Sequence, residues 1–96
     1  MTMIANDNLP ATVEQAVRAL ESLVPPTEQA RIAALSEADL SLLHFGLGQW
    51  ILNHFGLWSG NQRLLDDTGQ IHADDASDVI VRMFWLQLRS HLPQLH

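Results

Sequence analysis

Apolar residues recur along this chain with a helical period nearly from end to end. Val13, Ala16, Val17, Leu20 and Leu23 or Val24 fall at i, i+3, i+4 and i+7, the spacing of an amphipathic helix. Thr12 stands before the first of them as an N-cap, and Gln15 three residues later completes a capping box. Glu14, Arg18 and Glu21 then face solvent, and Pro25-Pro26 ends the helix. Thr27 caps a second, shorter helix through about Leu35. Its small and apolar residues, Ala30, Ile32, Ala33, Ala34 and Leu35, suit a corner packed close to a neighbour.

Ser36 with Asp39 reads as another N-terminal box, so a third helix is predicted from Glu37 to Phe55. Leu40, Leu43, Leu47, Trp50, Ile51 and Phe55 form one stripe on it, and Leu42, Phe45 and Leu52 widen that stripe until little polar face is left. A helix apolar nearly all round is expected to be buried. Gly46 and Gly48 lie inside it, and each costs about 1 kcal/mol relative to Ala in a helix interior. Close approach of another backbone or ring at those positions is the expected offset. A break at Gly46-Leu47-Gly48 is the alternative.

Gly56 is placed to end this helix in a left-handed turn. Asn61 caps a short helix from Gln62 to Asp66 or Asp67, and Thr68-Gly69 is a turn. Asp74 or Asp75 is expected to cap a last helix running to about Leu92, where Pro93 blocks continuation. Its apolar residues form two stripes: Ala76, Val79, Ile80, Met83 and Leu86 or Gln87 in one, Val81, Phe84, Trp85, Leu88 and Leu92 in the other. The fold class is therefore all-α: a bundle of four main helices plus a short helical turn. A flexible lead-in is expected over residues 1–11, and a single domain over 12–93. The 37–55 and 75–92 helices should pack antiparallel at its centre, covered by the 13–24 helix.

Composition narrows the function. Ninety-six residues leave no room for two cores. The net charge is −6, from eleven carboxylates against five arginines and no lysine. That balance argues against direct nucleic-acid binding, which needs a basic patch, and favours a basic protein partner. No cysteine is present, so disulfides and thiolate zinc sites are excluded. Met1 to Pro10 shows neither a basic n-region nor a long apolar run, and no run approaches the ~18 residues of a membrane span. A cytoplasmic location is the expectation.

The run Leu43-His44-Phe45-Gly46-Leu47-Gly48, then Trp50-Ile51, then Asn53-x-Phe55-Gly56-Leu57-Trp58-x-Gly60-Asn61, then His72-x-Asp74-Asp75, resembles a family of small bacterial domains of unknown function. The likeness covers most of the chain from Leu35 onward. It implies a helical domain and a bacterial source, and it supplies no activity. That family often carries a basic residue directly after Trp-Ile, where Leu52 stands here, so no role of that charge is carried over.

His44, His54, His72, Asp74 and Asp75 are the residues able to carry chemistry. On one helix His44 and His54 would sit about 80° apart and roughly 15 Å along the axis, too far to share a metal. No Gly-x-Ser-x-Gly elbow is present. No catalytic residue, cofactor or metal is therefore expected, although an enzyme built on the His72, Asp74 and Asp75 corner is the rival class. His44 reads as a hydrogen-bonded histidine at the core edge. Asn53 and Asn61 flank the aromatic loop, where each can simply bond backbone groups that the helix ends leave open.

The expected function is that of a small acidic binding protein, such as an immunity factor, antitoxin or phage-type inhibitor, that neutralises a basic partner. Trp58, Asn61, His72, Asp74 and Asp75 would form its contact surface at one end of the bundle. A homodimeric module using the excess apolar faces of the long helices is a third reading.

Overall fold

A computed structural model describes residues 9–91, all of whose regular elements are helical. Five α-helices span Val13–Leu23 (α1), Pro26–Ala33 (α2), Gln49–His54 (α3), Gln62–Thr68 (α4) and Ala73–Ser90 (α5). Between α2 and α3 the chain winds first as a 3-10 helix, Glu37–Leu43, and then as a π-helical turn, His44–Gly48. The expected third helix is thus one continuous right-handed winding with three successive hydrogen-bond periods. Neither an α-helix throughout nor a break at the glycines describes it.

That change of period decides which side chains are buried. A 3-10 helix has three residues per turn, so positions i and i+3 eclipse one another. Leu40 and Leu43 form the row that faces inward, Asp39 and Leu42 lie on an outer row, and Phe45 follows on the π turn. Leu42 is 72% exposed and Phe45 84%, against the expectation that the stripe would be buried all round. Once the α period resumes at Gln49, Ile51, Leu52 and Phe55 are buried as expected.

The helix ends follow local chemistry. Thr12 Oγ1 accepts from the Gln15 amide (3.1 Å), while Gln15 Oε1 reaches back to the Ala11 amide (2.8 Å) rather than to Thr12 itself. A further open donor of α1, the Val13 amide, is taken by Asp67 Oδ2 of α4 at 2.7 Å. α2 begins at Pro26 in the first helical position, not behind Thr27, because proline's fixed φ suits that place and its missing N–H is not needed there. Gln29 Nε2 donates to the carbonyls of Glu21 and Val24 at the end of α1, which makes α1–α2 the expected corner. Ser36 does not cap the 3-10 helix with its side chain; its hydroxyl donates to Asp39 Oδ2. Gly56 has φ +75°, and a Cβ there would stand 3.0 Å from Leu9 Cδ1, so both the turn and the contact call for glycine.

Leu9 packs on the body, and Pro10 is buried. Residues 1–8, and the expected ending at Leu92 and Pro93, lie outside the described residues.

α5 is the central element and touches every other helical segment. Its inner face is Ala76, Ser77, Ile80, Val81, Phe84, Trp85 and Leu88, all buried. The stripe ending in Met83 and Leu86 is only half inward, since both are more than 40% exposed. The chain from Ala33 to Gly48 runs antiparallel to α5. Arg89 donates to the Ala33 carbonyl (3.1 Å), Trp85 Nε1 to the Leu35 carbonyl (2.9 Å), Arg82 pairs with Glu37, His44 with Asp78, and Ser77 Oγ donates to the Gly48 carbonyl (2.8 Å). The expected antiparallel centre is present, and α1 covers it.

Candidate functional site

The five residues expected to form a contact surface separate into two groups. Asn61 is fully engaged inside the protein. Its Nδ2 donates to the carbonyls of Pro10 (2.8 Å) and Phe55 (2.7 Å), and its Oδ1 accepts from the Leu64 amide at 3.3 Å. One side chain thus ties the chain start, the end of α3 and the start of α4 together, using its donors and its acceptor at once. The reading of Asn61 as a residue that satisfies open backbone groups describes it.

Trp58, His72, Asp74 and Asp75 are all exposed, Trp58 to 58%. Trp58 follows the Gly56 turn, whose carbonyl accepts from the amides of Ser59 (3.1 Å) and Asn61 (2.9 Å), so the loop that carries it is bonded to itself. Its neighbour Leu57 is buried and anchors the same loop. Neither Asp74 nor Asp75 caps α5, contrary to expectation. The N-cap is His72, in extended conformation and without a side-chain bond, and both aspartates lie within the first turn. There they complement the positive end of the helix dipole while their carboxylates stay in solvent.

A second cluster was only partly legible. His44 sits on the π turn with Nδ1 3.2 Å from Asp78 Oδ1, so Nδ1 carries the donated proton. It is the core-edge histidine expected, but nothing in the sequence marks Asp78 as its partner, 34 positions away. The pair borders an open groove of about 610 Å³ together with Ser41, Phe45, Glu37 and Arg82. His54 is elsewhere: its ring stacks on Trp50 at 4.3 Å and its Nδ1 donates to the Trp50 carbonyl. Among the described residues no group of three or more His, Asp or Glu is arranged to hold a metal.

The cations are largely engaged within the chain. Arg18 pairs with Glu14 (3.0 Å), Arg31 with Glu28 (3.6 Å) and Arg82 with Glu37, while Arg89 lies 5.0 Å over the Trp85 ring. Such exposed pairs contribute little stability, about 0–1 kcal/mol each. They do cancel positive charge locally, whereas Arg63, which lines a groove with Ser59, Gly60 and Asn61, makes no ion pair among the described residues.

What these features define is a small all-helical domain with exposed aromatic and acidic residues on a well-bonded frame. The chain belongs to the family of the domain of unknown function DUF6794, which matches it over residues 9–88. Neither a curated protein nor a solved structure matches it. No helix among the described residues is long and apolar enough to cross a membrane.

Proposed function

We propose that this protein is a small acidic binding module that occupies and neutralises a basic protein partner, in the manner of an immunity factor, antitoxin or phage-type inhibitor. The observation that carries the reading is the state of Asp74 and Asp75. The competing explanation for two aspartates at a helix start is capping, and the cap position belongs to His72. Beyond complementing the helix dipole, neither carboxylate is tied up in a side-chain hydrogen bond or ion pair among the described residues, and both stay in solvent. Trp58 supplies an exposed ring on a loop bonded to itself, and an aromatic anchor together with carboxylates suits a basic surface: the ring gives desolvated contact, the charges give steering. Asn61 drops out of the contact set and becomes the brace that holds Trp58's loop.

The test is a pull-down from the native host with the full chain as bait, followed by titration of the captured partner. Trp58→Ala and Asp74→Asn should each weaken binding with Tm nearly kept. Normal binding by both variants overturns this surface. An acidic captured partner, or binding insensitive to salt, overturns the electrostatic reading.

A further inference from the structure

The outer row of the 3-10 helix forms a surface distinct from Trp58 and the start of α5. Asp39 and Leu42 eclipse one another on the outside of the 3-10 helix, and Phe45 stands exposed at the start of the π turn that follows. The two apolar members are among the most exposed large hydrophobic residues described, at 72% and 84%. Beside this ridge lies an open groove of about 500 Å³ whose walls include Leu23, Val24, Leu43, Leu47 and Trp50. Gly46 forms part of its lining, and a Cβ built there would meet nothing within 4 Å. The glycine that was expected to accept a close neighbour instead leaves room. The groove opens between this winding and the α1–α2 corner, and the winding changes from 3-10 to π beneath it, a departure from α geometry that recurs at functional sites.

We propose that the Leu42–Phe45 ridge and the Gly46 groove form a docking site for an amphipathic helix with Lys or Arg along its flanks. Charge selects this occupant. Glu28, which lines this groove, is paired with Arg31, and Arg82 and Glu37, which line the groove beside Phe45, are paired with each other. The remaining charges are Asp39, one 3-10 turn before Leu42, and Asp78, which lines the groove beside Phe45 and whose partner His44 is positive only when protonated. A second copy of the chain would bring the same acidic border and a net charge of −6 against itself. A helix fits better than an extended segment, because the described residues offer no sheet edge to extend, whereas an apolar groove takes a helix through side chains at i, i+3, i+4 and i+7. The inference rests on the reading that the partner is basic, but it uses a different face, so either can fail alone.

The probe is a synthetic 18-residue helical peptide of leucine and lysine, with leucine on one face. Its controls are a scrambled peptide of the same composition and a version with glutamate for lysine. Titrated into the isotopically labelled full chain, the lysine peptide should shift amide resonances of Leu23, Val24 and residues 39–50, and salt should weaken it. Phe45→Ser and Leu42→Ser should each raise Kd at least tenfold. Gly46→Leu, which fills the groove from an open position, should do the same with the fold kept, so the test survives if a ridge variant loses stability. Equal binding of the scrambled peptide, or Kd unchanged in Gly46→Leu and the ridge variants, overturns the site. Binding that instead depends on Trp58 and Asp74 overturns this site while upholding the basic-partner reading. No binding of the lysine peptide overturns the site, and the host pull-down then decides the broader reading by itself. Sedimentation showing a dimer abolished by Phe45→Ser assigns the ridge to a second copy and overturns the proposal.

Discussion

Ser77 Oγ donates to the carbonyl of Gly48 at 2.8 Å, both residues buried, and this bond joins the second turn of α5 to the winding that precedes α3. The carbonyl lies at the end of the π turn, where the hydrogen-bond period is changing. Removing the hydroxyl leaves a buried acceptor without its partner, which costs about 1–3 kcal/mol. Ser77→Ala should lower stability by that amount in chemical denaturation. An unchanged midpoint would show that the bond contributes nothing net.

The two glycines of the π turn should respond in opposite directions. A Cβ at Gly48 would already stand 3.4 Å from Ser77 Oγ and 3.5 Å from the Leu43 carbonyl. Gly48→Leu should therefore destabilise by about 1–3 kcal/mol, as overpacking does. Gly46 has open space around it, so Gly46→Ala should stabilise by about 0.5–1 kcal/mol through lower unfolded-chain entropy. Thermal melts of the two variants, compared with the parent, check both signs.

Asn61 is a brace, and its loss should be felt in folding. Asn61→Ala removes a helix cap and two donated bonds to the carbonyls of Pro10 and Phe55. A cost of about 2–3 kcal/mol follows from one cap and the carbonyls left open. Asn61→Asp keeps the acceptor for the Leu64 amide and loses both donors, so it should recover only part of the deficit. Urea titration of the pair gives the comparison.

Trp85 links α5 to the exit of α2 through one donated bond to the Leu35 carbonyl. Trp85→Phe keeps an aromatic ring beside Arg89 and deletes the donor. About 1 kcal/mol should be lost, the usual net worth of a hydrogen bond. A loss several-fold larger would mean that the indole's volume, rather than its N–H, holds the corner.

At the proposed contact end, stability and binding should come apart. Trp58, Asp74 and Asp75 are exposed, and surface substitutions away from caps and cores usually stay within about 0.5 kcal/mol. Trp58→Ala and Asp75→Asn should melt close to the parent. A fall of several degrees in Tm would make these residues structural.

How much of this was legible in the chain depended on whether a residue's role is set by its near neighbours. The all-α class, the start of α1 at Thr12, the left-handed turn at Gly56 and the Asn61 cap all follow from interactions within a few positions, so sequence spacing contains them. The antiparallel meeting of α5 with the preceding winding followed from two long apolar segments with a short connection. What the tertiary structure alone decided was the helical period between Glu37 and Gly48. Apolar spacing there satisfies an α-helix, but with Ser77, Asp78 and Arg82 of α5 holding Gly48, His44 and Glu37 the winding is first tighter and then wider. That change turned Leu42 and Phe45 outward, opened space at Gly46, and paired His44 with Asp78. Each of these rests on contacts from 29 to 45 positions away, and a local pattern carries no record of them.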